Sequence, residues 1–63
     1  MGKWIKTLDG TEAYNTSNFH QINVNSYKKE FVISLQGFSI GRVIYGFKTK
    51  EEAIKHMNDA LFS

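Results

Sequence analysis

Arg42-Val43-Ile44-Tyr45-Gly46-Phe47-Lys48-Thr49-Lys50-Glu51-Glu52-Ala53-Ile54 is the stretch in which the apolar pattern changes its period. Up to Phe47 the large residues Val43, Tyr45 and Phe47 fall at every second position, the period of a strand. From Thr49 onward Ile54, Met57 and Leu61, flanked by Ala53 and Ala60, form one stripe at helical spacing. Between the two patterns lies a capping box. The Thr49 hydroxyl can accept from the Glu52 amide, and the Glu52 carboxylate can reach back to the Thr49 amide. Glu51 and Glu52 sit in the first turn, where the helix dipole favours negative charge, and Glu51 stands four residues before Lys55. The pattern predicts a strand over 42–47 and a helix over 49–62.

Working towards the N-terminus, Gly37 to Gly41 reads as a turn. Residues 30–36 read as a strand, with Phe31, Ile33 and Leu35 on one face and Val32, Ser34 and Gln36 on the other. Asn25 to Lys29 reads as a polar turn that contains Tyr27. Before it, residues 19–24 alternate, with Ile22 and Val24 on one side and Gln21 and Asn23 on the other. The quartet Asn15-Thr16-Ser17-Asn18 interrupts regular structure, because its short side chains compete for backbone hydrogen bonds. Asp9-Gly10 is a hairpin signal, since both residues tolerate positive φ. With these two as the loop, Leu8 pairs with Thr11 and Ile5 lies opposite Tyr14.

The predicted fold is α+β: a curved antiparallel sheet of four to five strands, with one C-terminal helix packed on one face, in a single domain over 1–63. Phe31, Ile33, Val43, Tyr45, Ile54, Met57 and Leu61 are the expected core between sheet and helix. A helix of about thirteen residues covers one face only. Val32 and Ile44 are then expected on the uncovered face, with Trp4 and Phe38 near them, as a homodimer interface.

The chain has 63 residues, 41% of them apolar, nine aromatics, no cysteine and a net charge of +2. That apolar fraction argues against disorder. A domain this small buries only about 60% of its unfolded surface, and no disulfide adds stability, which favours self-association. No apolar run approaches the roughly 18 residues of a membrane span. The residues after Met1 offer no apolar signal region, so a cytoplasmic location is expected. Lys3, Lys6, Lys28, Lys29, Arg42 and Lys48 outnumber Asp9, Glu12 and Glu30 in the first part of the chain, whereas the helix is mildly acidic. Such a surface permits contact with nucleic acid or an acidic protein.

Catalytic chemistry finds little support. Without cysteine, and with His20 and His56 lacking partners at ligand spacing, neither a nucleophile nor a metal site is indicated. Asp9 and Glu12 flank the first hairpin, but turn chemistry accounts for Asp9. Gly37 and Gly41 lie between strands and do not cradle phosphate. Trp4, Tyr14 and Phe38 are better placed for stacking than Phe31, Tyr45 and Phe47, which read as core. The expectation is a non-enzymatic chain with no cofactor.

Tyr45-Gly46-Phe47-Lys48-Thr49-Lys50-Glu51-Glu52-Ala53 resembles the end of the arm-binding domain of phage and transposon integrases, and is similar to the plant ethylene-response-factor type of DNA-binding domain. That resemblance covers about the last thirty residues and implies a three-stranded sheet entering the DNA major groove. The whole chain, from its Trp strand through Leu8-Asp9-Gly10 to the final helix, resembles short uncharacterised β-meander-plus-helix proteins of Gram-positive bacteria and their phages. Small phage proteins of this build include inhibitors of host defence systems, often dimeric. The build is also similar to the transcriptional-coactivator-like fold that grips single-stranded DNA.

Two readings follow. The first is a phage- or mobile-element-encoded homodimer that binds and inhibits a host protein, such as a defence-system component. The alternative is a nucleic-acid-binding domain, either a β-sheet DNA binder or a single-strand binder. In both, Lys3, Lys6, Tyr27, Lys28, Lys29 and Arg42 are the candidate contacts to the partner.

Overall fold

In the computed structural model, which describes residues 3–62, the chain is α+β. β1 (Trp4–Lys6) and β2 (Ala13–Asn15) form a two-stranded antiparallel ribbon. β3 (Gln21–Tyr27), β4 (Glu30–Gln36) and β5 (Gly41–Phe47) form a three-stranded antiparallel sheet in the order β3-β4-β5. The helix α1 (Lys50–Phe62) packs against both sheets. It is not long and apolar enough to cross a membrane.

The first hairpin keeps the predicted register, with Ile5 opposite Tyr14. Its loop is wider than two residues. The Thr7 and Glu12 backbones are joined at 3.0 Å, and the Gly10 amide turns back to the Thr7 carbonyl at 3.1 Å, so Leu8 and Thr11 belong to the loop. The Asp9 carboxylate knots it together, accepting from the Thr7 hydroxyl (2.7 Å), the Thr11 amide (3.1 Å) and the Thr11 hydroxyl (2.8 Å). These bonds, the Thr7 hydroxyl first, hold the Asp9 pKa down at about 2. A single 3-10 turn, Thr16–Asn18, follows β2, capped by the Asn15 side chain. It lies so close to the β4–β5 turn that a Cβ on Gly37 would stand 2.6 Å from the Asn18 carbonyl oxygen.

The Thr49 hydroxyl caps α1 by accepting from the Glu52 amide at 3.1 Å. The Glu52 carboxylate turns to the Lys48 amide (3.4 Å) rather than to that of Thr49. His56 faces β1, its Nε2 donating to the Lys6 carbonyl at 2.7 Å, and its ring lies 5.3 Å from that of Phe47. Helix and ribbon thereby close over one face of the three-stranded sheet.

The core beneath them is Ile5, Ile33, Leu35, Ile44, Phe47 and Ala53, with Phe31, Ile22, Val24, Tyr14 and Met57 at its margin. The expectation for β4 holds, but that for β5 needs correction. Phe31 pairs with Phe47, whereas Ile33 pairs with Ile44, so β5 spends one residue more than β4 over the same span. This is a β-bulge, and Gly46 adopts the φ of +103° within it. The extra residue resets the alternation. Ile44 and Phe47 face the core together, while Val43 and Tyr45 point to the opposite side. Ile44, expected on the uncovered face, is 1% exposed and lies in the core, and Tyr45, expected in the core, is 57% exposed.

A second correction concerns β3. The residues read as a turn, Asn25, Ser26 and Tyr27, continue the strand and pair with Val32, Phe31 and Glu30. The turn is Lys28 and Lys29 alone, with Lys28 at a φ of +56°. On the helix, the most deeply buried residue is Ala53, while Ile54 and Leu61 are only half-buried.

Candidate functional site

The bulge and the long β3 together build the outer face of the sheet. The pairing places Gln21, Asn23, Asn25 and Tyr27 of β3 on it, with Glu30, Val32, Ser34 and Gln36 of β4, and Gly41, Val43 and Tyr45 of β5. The helix packs against the opposite face through Ala53 and Met57, and the β1–β2 loop with Tyr14 of β2 flanks Val43 and Tyr45 at the edge of this one. Its character is polar with two aromatics. Tyr27 and Tyr45 are 50% and 57% exposed, and their rings meet edge to face with centroids 6.0 Å apart. The Lys28 ammonium lies 5.4 Å from the centre of the Tyr27 ring, a cation–π contact. Tyr27, Lys28, Lys29, Glu30 and Tyr45 line an open cleft of about 410 Å³.

The positive φ of Lys28 bears on this cleft. A two-residue hairpin turn requires positive φ at its first position, and a lysine there, in place of Gly, Asn or Asp, costs about 1–2 kcal/mol. Here the strained residue is the one that carries a cation over the aromatic ring.

Beside the tyrosines lies a hydrogen-bonded cluster. The Asn25 side-chain amide donates to Asn23 Oδ1 at 3.0 Å and to Ser34 Oγ at 2.8 Å. Val32, although on this face, is only 4% exposed; its neighbours there are Asn25 across β3 and the bulge across β5. It is the apolar floor between the polar cluster and the tyrosines.

The residues singled out from the sequence do not form one surface. Tyr27, Lys28 and Lys29 come together at the β3–β4 turn. Arg42 pairs with Leu35 on the helix-bearing side, its guanidinium donating to the Gly41 carbonyl at 2.8 Å, and lines a separate cleft with Trp4, Phe19 and Ile40. Lys6 is on β1, away from the sheet's outer face, and the Lys3 backbone is tied to Thr16. Of the four interface candidates, Ile44 and Val32 are buried, Trp4 is exposed at the rim of the Arg42 cleft, and Phe38 is 98% exposed against His20, ring centres 4.9 Å apart. Sequence reasoning missed Tyr45, Asn23, Asn25 and Ser34. The available signal was the Tyr45-Gly46 pair, because a glycine inside a strand pattern often marks a bulge.

Among the described residues, no three of His, Asp and Glu gather closely enough to hold a metal ion. Comparison with protein families, curated proteins and solved structures finds no match.

Proposed function

We propose that the protein is a non-enzymatic module that binds single-stranded nucleic acid across the outer face of its three-stranded sheet. The observation that carries this reading is the exposed Tyr27–Tyr45 pair with the Lys28 ammonium beside it. Bases stack on tyrosine rings at about 1–3 kcal/mol each, without demanding a particular sequence. Lys28 and Lys29, both exposed at the turn, supply the positive charge that phosphates meet next to the stacking platform. An unpaired strand fits this face better than a duplex, since stacking on tyrosine requires bases that are already splayed.

Fluorescence anisotropy with labelled single strands tests the reading. Binding is expected to weaken with salt, each phosphate contact contributing about 0.7 to the log–log slope. Tyr45→Ala is expected to lose about 1–3 kcal/mol of affinity with the fold intact. Duplex bound as tightly as single strand, or Tyr45→Ala binding like the parent, contradicts it.

A second reading, a homodimer that occludes a host protein, has its own support in the exposure of Phe38 and Trp4. Val32 and Ile44 have too little surface to contribute, so the contact would pass through the β4–β5 turn. Sedimentation at micromolar concentration decides it. A dimer that Phe38→Ser dissociates supports this reading, and a monomer removes it.

A further inference from the structure

We infer that the free edge of β3 is the seam of a homodimer, in which the β3 strands of two copies pair antiparallel across a twofold axis at Val24 and join the two sheets into one. The inference is independent of the single-strand reading. Its seam runs along β3, not through the β4–β5 turn.

The three-stranded sheet has two edges, and only one is guarded. β5 carries Arg42, the bulge at Gly46 and the β1–β2 loop beside Val43 and Tyr45. Charge, bulge and cover are devices that stop a sheet edge from pairing with another chain. β3 has none of them. Gln21–Tyr27 is seven residues long, without charge or proline, and in unbroken register with β4. Its one strand neighbour is β4. Among the described residues, no backbone bond from a turn, loop or cap reaches it.

The turn fixes which groups this edge offers. Tyr27 and Glu30 pair across Lys28 and Lys29, and a loop of two residues is closed by a pair that exchanges both backbone bonds. Alternation then turns the N–H and C=O groups of Asn25 and Asn23 towards β4. Those of Ser26, Val24 and Ile22 point outwards, to the free side.

The strand complements itself, which points to a second copy as the occupant. An axis at Val24 sets this residue against its own counterpart and Ile22 against the partner's Ser26, so every outward group finds a bond. On the outer face Asn23 meets the partner's Asn25. An asparagine side chain carries donor and acceptor alike, so this pair bonds whichever way either amide is turned. No like charges oppose each other, since the strand carries none. On the core side Ile22 and Val24 are half-buried, whereas Ile33 and Leu35 of β4 are 0% and 1% exposed. A strand alongside covers the apolar surface that β3 leaves in water. An axis perpendicular to the sheet keeps both helices on one side and both outer faces on the other. The two Tyr27–Tyr45 clefts then share one continuous surface.

Sedimentation equilibrium of the full chain, from about 1 µM to about 300 µM, tests the seam, because a short interface buries little area and binds weakly. Twice the monomer mass is expected at the upper end. Ser26→Pro removes an outward N–H that no bond within the chain uses, at an edge where proline is tolerated. It should weaken the dimer at least about tenfold, since the axis repeats the lost bond. Ser26→Lys keeps the backbone donor, places a charge opposite the partner's Ile22 and should weaken it likewise; it decides the matter should the proline variant fail to fold. Hydrogen exchange needs no variant. The amides of Ile22, Val24 and Ser26 should exchange fast in dilute solution and slowly in concentrated solution, while those of Asn23 and Asn25, bonded to β4, stay slow in both. A monomer at about 300 µM overturns the inference. So does a dimer that Ser26→Lys leaves intact, or one that does not slow the exchange of the three outward amides. A dimer that Phe38→Ser dissociates and Ser26→Lys does not places the contact at the β4–β5 turn instead.

Discussion

The two faces of the three-stranded sheet are made by the same three strands and behave as different materials. The inner face, with Ile33, Leu35, Ile44 and Phe47, is closed by Ile5 of the ribbon and Ala53 of the helix. The outer face carries Asn23, Asn25, Ser34 and two exposed tyrosines. In β3 and β4 the division follows simple alternation. In β5 it depends on Gly46, whose bulge moves Ile44 inward and Tyr45 outward. One glycine thus builds both the end of the core and half of the aromatic pair.

The contrast is broken most severely from within. Ile44→Ala should destabilise the protein by about 2–5 kcal/mol, enough to unfold a domain of this size. Tyr45→Ala, next in sequence but on the other face, should change the denaturation midpoint far less. Urea titration of the two variants checks this, and equal losses would mean that β5 has no bulge. The bulge itself can be attacked. At a φ of +103°, Gly46 occupies backbone space that L side chains avoid, and a Cβ there would meet Leu8 Cδ1 at 3.1 Å. Gly46→Ala is expected to cost about 1–3 kcal/mol, read in the same titration.

Much of the inner face was legible in the sequence and much of the outer was not. Thr49 and Glu52 announce the helix start, and Asp9-Gly10 fixes the Ile5–Tyr14 register even though the loop is wider. Phe31, Ile33 and Leu35 follow a plain period of two. The same rule fails at Val43, Tyr45 and Phe47, because periodicity does not register an inserted residue. Asn25-Ser26-Tyr27 looked like a turn because Asn and Ser favour turns when seen alone. In β3 they sit opposite Val32, Phe31 and Glu30, and cross-strand pairing overrides local preference.

A smaller effect sharpens the comparison at the β3–β4 turn. Lys28→Gly relieves the positive-φ strain and should raise stability by up to about 1 kcal/mol. The same change removes the cation beside Tyr27, so single-strand binding should weaken and its salt slope fall by about 0.7. Thermal melting and anisotropy together read this opposition of signs. The smallest effect lies in the first hairpin. The hydroxyls and amide around Asp9 hold its pKa at about 2, below the ordinary 3.8. A carboxylate lowered on folding contributes stability above 3.8, and that contribution is lost as the pH falls towards 2. Asp9→Asn should therefore melt with less acid dependence than the parent across that window.

The most direct measurement of the outer face's role is amide chemical-shift mapping during titration with oligo(dT). The large shifts are expected at Asn23, Asn25, Tyr27, Lys28, Lys29, Ser34 and Tyr45, with Ile5, Ala53 and the helix little changed. Shifts centred instead on Trp4, Phe38 and Arg42, or spread along the helix, would contradict it.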